Sequence, residues 1–138
     1  MKNTLLAPSL ALALTALAAP AAPSEPRAAR QWEVVDVALE ATGDPEPRGV
    51  LLRAVVRGPE GQSLEVPGFH DGGKRWLIRV ALPSPGRWTW ETVSNQPALS
   101  GRTGAIDVAA DPGQRGPVVL DSGHPQRFRY ADGTPYFA

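Results

Sequence analysis

Glycine or proline interrupts this chain every few residues from position 43 onward, and that spacing excludes ordinary helices. The 138 residues include 14 glycines and 15 prolines, and the stretches between them are too short for helices of normal length. What fits between them is strand. Gln31 to Glu40 puts Val35, Val37 and Leu39 on one face, with Trp32 near its start. Val50 to Arg57 is an apolar run closed by Gly58-Pro59-Glu60-Gly61. Ser63 to Phe69 sets Leu64 and Val66 on one face, and Arg75 to Leu82 does the same with Trp76, Ile78 and Val80. Pro83-Ser84-Pro85-Gly86 turns the chain into Arg87 to Val93, where Trp88 and Trp90 alternate with polar neighbours. Gly104 to Ala109 and Pro117 to Asp121 follow.

Each run has the period of two expected of a sheet with one buried and one wet face. Several such strands separated by turn signals predict an all-β, antiparallel β-sandwich. No motif recurs, so a repeat architecture is excluded. The chain holds no cysteine, which removes disulfides, thiolate nucleophiles and cysteine metal sites together. Its stability must come from packing.

The first residues read as an export signal. Lys2 supplies a positive start, Leu5 to Leu17 is an apolar stretch of Leu and Ala, and Ala16-Leu17-Ala18 offers the small residues that a signal peptidase reads. Ala19-Pro20-Ala21 is a second cleavage candidate. The apolar stretch is shorter than the roughly 20 residues a transmembrane helix needs, so residues 1–18 are expected to be a signal peptide and the mature protein to be secreted or periplasmic. Residues 19–30, rich in Ala and Pro, are expected to be a disordered linker. The ordered part, residues 31–122, is then large enough for one core and one domain. With 14 basic and 14 acidic side chains, the chain has no electrostatic case for nucleic acid or an anionic membrane.

The other end carries a different signal. Phe128-Arg129-Tyr130-Ala131-Asp132-Gly133-Thr134-Pro135-Tyr136-Phe137-Ala138 reads as strand, tight turn and strand, because Asp132-Gly133 supplies positive-φ turn chemistry between aromatic-rich arms. The second arm has barely begun. Residues 123–138 are therefore expected to be the truncated start of a further domain, and to be poorly packed here.

The residues that could carry chemistry are few. Trp76, Trp88 and Trp90 could stack on the apolar face of a sugar, with Arg79 beside them, or could fill the core between two sheets. The core reading is favoured, since a large aromatic is the ordinary filling of such a sandwich. Arg75, Arg79 and Arg87 bracket the indoles, and guanidinium stacking on them is expected. Asp71-Gly72-Gly73 is a turn former before it is a catalytic group. Glycoside hydrolysis by the usual route needs two carboxyl groups spaced across a sugar. Asp36, Glu40, Glu65, Asp71 and Glu91 could supply a pair, but their alternation places them more simply on the solvent face. His70 and His124, the latter expected in a loop, lack metal-ligand spacing. No catalytic residue, metal site or cofactor is assigned.

One segment group is more specific. Val66-Pro67-Gly68-Phe69-x-Asp71-Gly72, Trp76 with Arg79, Pro85-Gly86-x-Trp88-x-Trp90 and Leu99-x-Gly101-x-Thr103-Gly104 resemble the immunoglobulin-like N-terminal domain of unknown function, DUF5060-type, that precedes apiosidase-like or related glycoside hydrolase barrels in secreted bacterial proteins. The resemblance spans Gln31 to the end. It implies an immunoglobulin-like sandwich, and a tail, Phe128-x-Tyr130-Ala131-Asp132-Gly133-Thr134-Pro135-Tyr136-Phe137, similar to the opening hairpin of the barrel. It also implies that the catalytic acids lie beyond this chain. Two functions follow as expectations: a non-catalytic accessory module whose partner is a downstream glycoside hydrolase barrel in the same polypeptide, or a carbohydrate-binding module that holds polysaccharide through Trp76, Trp88, Trp90 and Arg79.

Overall fold

The computed structural model describes residues 26–43 and 46–137. The expected signal peptide lies outside them. Among the described residues nine strands run β1 (Arg27–Arg30), β2 (Val34–Glu40), β3 (Leu52–Arg57), β4 (Ser63–Gly72), β5 (Arg75–Ala81), β6 (Gly86–Ser94), β7 (Thr103–Ala109), β8 (Val118–Asp121) and β9 (His124–Tyr130), with one 3₁₀ turn at Pro47–Gly49. The all-β expectation holds among the described residues. Seven strands join in the order β1-β7-β6-β3-β4-β5-β2, and β8 and β9 form a separate pair.

The seven-stranded unit closes over itself because β4 belongs to two ladders. Its first half, Ser63 to Pro67, pairs with β3, while Gly68 to Gly72 pairs with β5. Pro67-Gly68 is the corner, the kind of place where a strand passes from one sheet to the other. A side chain on Gly68 would lie 2.5 Å from Leu52 Cγ and 2.7 Å from Ile78 Cδ1. Glycine is therefore required by packing there, since it lets the bend sink onto the core. One layer is β1-β7-β6-β3 with the start of β4, and the other is the end of β4 with β5 and β2.

A single core fills the space between the layers. Ala54, Val56, Trp88, Ile106 and Val108 face inward from the first layer, and Val35, Leu39, Trp76, Ile78 and Val80 from the second. Alternation accounts for both sets, because each is spaced by two along its strand. The one buried polar side chain among the described residues, Thr92, is satisfied: its Oγ1 donates to the Leu99 carbonyl at 2.6 Å and accepts from Arg102 N at 3.0 Å.

Three expectations need correction. The linker was expected to reach Arg30, but Arg27–Arg30 is a strand that lies parallel to β7 in the register Arg27 with Ile106 through Arg30 with Ala109. Only Ala29 of this strand enters the core, so four residues held by their backbone leave no hydrophobic alternation to read. The sandwich is accordingly not wholly antiparallel. His124 is not in a loop; it opens β9, opposite Asp121 across the Ser122-Gly123 turn.

The tail follows its expected pattern in part. Gly133 takes φ 91°, and the Tyr130 carbonyl accepts from Gly133 N at 2.9 Å. Asp132 Oδ1 accepts from Thr134 N at 2.8 Å, which fixes the turn. Beyond it the second arm makes only a bridge of Arg129 with Pro135, and Tyr136 N donates to the Phe128 carbonyl at 3.1 Å.

Candidate functional site: an aromatic tail face beside a closed core

The structure separates the residues that sequence grouped. Trp88 is 0% exposed and Trp76 is 3% exposed. The Trp88 indole N–H donates to the Ser84 carbonyl at 2.9 Å, and the far edge of its ring lies where a side chain on Gly58 would be, 2.8 Å from Trp88 Cη2. Trp76 packs beside His70 with ring centroids 5.0 Å apart, and its indole nitrogen is buried without a partner. Neither ring offers a face to solvent. Trp90 is half-buried at the margin of the core, laid across Gly104, its cross-strand partner.

Arg79 points away from all three. Trp76 and Arg79 are three residues apart in β5, so alternation sends them to opposite faces. Its guanidinium grips Asp36 through two bonds, Nε to Oδ1 at 2.7 Å and an Nη to Oδ2 at 2.8 Å, and lies 5.5 Å from the Phe69 ring centroid. The expected stacking of Arg79 on indole is thus replaced by stacking on Phe69. That arrangement roofs Leu77, which is buried although it lies on the outer side of its layer. The pairing with Arg79 holds the Asp36 carboxyl below its ordinary value.

Four other carboxylates are tied to arginines across the outer surface. Glu65 pairs with Arg53, Glu91 with Arg57 at 3.9 Å, Asp71 with Arg75 at 3.2 Å and Asp107 with Arg87 at 3.9 Å. Exposed pairs of this kind contribute little to stability, and they leave each acid facing its own cation. Among the described residues no group of three or more His, Cys, Asp or Glu side chains could hold a metal ion.

The least satisfied surface is the tail sheet. Cross-strand partners Val118 and Tyr130, and Leu120 and Phe128, stand on the same face. Tyr136 joins them, its ring 5.5 Å from Tyr130 in an edge contact. Leu120 is 62% exposed and Phe128 52% exposed. The opposite face carries Arg129 and Val119. A sheet normally turns its apolar face inward and its polar face outward; here the apolar face meets solvent. A groove of about 640 Å³ opens beside it, lined by Asp121, Gln126, Phe128, Arg129, Tyr136 and Phe137. Sequence flagged the aromatic arms Phe128, Tyr130 and Tyr136 but gave β8 no part in this face, because Val118 to Leu120 is a continuous apolar run.

No curated protein matches the chain. A crystal structure of a putative glycoside hydrolase from Bacteroides vulgatus ATCC 8482 is similar in fold, with a TM-score of 0.72 and 28% sequence identity over 80% of this chain. The chain spans 21% of the length of that protein. Residues 28–95, from β1 through β6, match the family described as Domain of unknown function (DUF5060). The chain therefore carries a DUF5060 domain, a fold it shares with part of that Bacteroides protein.

Proposed function

We propose that this chain is a non-catalytic accessory module of a secreted carbohydrate-active enzyme, and that its tail sheet docks onto a glycoside hydrolase domain in the same polypeptide. The observation that carries the reading is the exposed face of Val118, Leu120, Phe128 and Tyr136. Apolar surface gathered on one side of a two-stranded sheet is a poor end state in water, and contiguous patches of this kind mark interaction sites. The Bacteroides protein supports a longer polypeptide, since the shared fold is a minor part of it. Export rests on the leader-like residues 1–18. The pairing of Asp36, Glu65, Asp71 and Glu91 with arginines favours a module without its own acid and base pair.

The binding-module reading has weaker support. Two of its three indoles are closed inside the core, and a flat platform needs rings that share a wet face. Trp90 alone borders open surface.

Two measurements test the proposal. The gene read beyond codon 138 should continue in a barrel-length frame. In the longer protein, Leu120→Ser with Phe128→Ser should lower the unfolding temperature, while the same pair in the 138-residue chain should leave sandwich stability within about 0.5 kcal/mol, as surface changes do. Hydrolase activity in the purified 138-residue chain would overturn the reading. So would a longer protein indifferent to the double substitution.

A further inference from the structure

We propose that Trp32 is the joint that sets the angle of the tail sheet on the sandwich. The accessory reading supplies its purpose, since a docking face is useful only when it is aimed; the joint itself is a property of the 138-residue chain and is tested there.

Neither β8 nor β9 forms a ladder with any strand of the sandwich. Something else must hold the two bodies in register. Arg30 to Glu33 is a four-residue turn, closed by Glu33 N to the Arg30 carbonyl at 3.0 Å. Trp32 is its third residue and takes φ 64°, the one positive φ among the described residues other than glycine. That position ordinarily calls for Gly or Asn, and a bulky residue there is held by its surroundings. The surroundings are visible. Trp32 N donates to the Leu82 carbonyl at 2.9 Å, and Gln31 N donates to Ala109 at 2.9 Å, so the turn is anchored to both layers of the sandwich.

The indole reaches the other way. Gly116 takes φ 74°, and a side chain on it would lie 2.8 Å from Trp32 Cε2 and 2.9 Å from Ala131 Cβ. Gly116 is thus pressed between the sandwich's indole and the tail's methyl group, and only glycine fits by both conformation and space. Ala131 is fixed in turn, its N–H donating to the Pro117 carbonyl at 2.9 Å, and Asp132 N donates to Arg115 at 3.1 Å. Arg115 closes the arrangement over the Tyr130 ring at 5.4 Å. Two left-handed residues, one from each body, meet at one contact. The strain at Trp32 is explained if its job is to place that ring.

The chain has no cysteine, so two introduced thiols can carry spin labels without interference. Ser63→Cys on the sandwich and Ser122→Cys on the tail are both exposed. The distance distribution between labels should be narrow in the parent chain and broad in Trp32→Ala, with Trp32→Phe between them because a ring remains. Amides of β9 should exchange faster in Trp32→Ala by on the order of tenfold, with those of β3 and β5 unchanged. An equally narrow distribution in Trp32→Ala overturns the proposal. Loss of protection in β3 and β5 together with β9 also overturns it, because Trp32 would then belong to the sandwich's own stability. Neither result bears on whether the tail face docks, which the Leu120 and Phe128 pair reads separately.

Discussion

Gly68→Ala is the sharpest probe of how this sandwich closes. The new methyl carbon would lie 2.5 Å from both Leu52 Cγ and Leu52 Cδ2 and 2.7 Å from Ile78 Cδ1, about 1 Å inside the optimum carbon separation of roughly 3.5–4.0 Å. Leu52 and Ile78 are buried on opposite layers, so relief requires the layers to part at the corner. The φ of Gly68 is not left-handed, and the cost is therefore packing alone. Overpacking of this order costs about 1–3 kcal/mol, equivalent to about 4–8 °C of unfolding temperature per kcal/mol for a domain near 100 residues. Urea titration of Gly68→Ala, Leu52→Ala and the double variant forms a cycle. Leu52→Ala alone should cost about 2–5 kcal/mol through the cavity it leaves. The double variant should recover part of that sum, because the methyl enters the vacated space. A neutral Gly68→Ala, or strictly additive costs, would refute the corner as the point where the layers are pinned.

Trp88→Phe should cost about 1–3 kcal/mol in the same titration, since the buried Ser84 bond is lost and the ring shrinks; a change below about 0.5 kcal/mol would contradict the burial described. Acid should act through Asp36, whose carboxyl is held below its ordinary value of 3.8 first by the bond from Arg79. For a depressed carboxyl the stabilisation is complete above 3.8 and is lost as pH falls from there through the lower folded value. Unfolding temperature should therefore decline less steeply between about pH 4 and 2 in Asp36→Asn than in the parent, and equal slopes would refute the linkage. Asp121 and Asp132 are lowered in the same direction, by the bond from Gly123 N and by the bonds from Thr134. Protection of β9 amides, taken against the intrinsic exchange rate at each pH, should fall over the same acid range, and unchanged protection would count against both turns.

Most of the strand set was legible because period two is a strong signal wherever one face is buried. β2 through β7 fall within a few residues of their expected ends. What escaped has a physical pattern. β1 is held by backbone bonds and buries one alanine, so its sequence resembles a linker. The corner at Pro67-Gly68 sits inside the motif that carried the family resemblance, yet a strand's partner can change along its length with no change in alternation. Arg79 was legible and misplaced: its offset of three from Trp76 already put it on the other face. Trp32 was beyond sequence reasoning, because nothing about a tryptophan announces a left-handed backbone. The tail face was half legible, its aromatic arms visible and its β8 partners hidden in an unbroken apolar run.

The short strand β1 has a consequence for how the protein meets its neighbours. Arg27–Arg30 covers the β7 edge, and the Arg27 guanidinium donates to the Asp36 carbonyl of β2 at 2.6 Å. A few residues with no core signature thus stand guard over the outermost strand of each layer. Exposed strand edges are templates on which a second chain can add itself. A shortened protein beginning at Gln31, where sequence alone would start the domain, would keep nearly all of its core and still lay bare a row of unpaired amides along β7. Its failure would be one of association, with folded molecules stitching together edge to edge while the core of each remained intact.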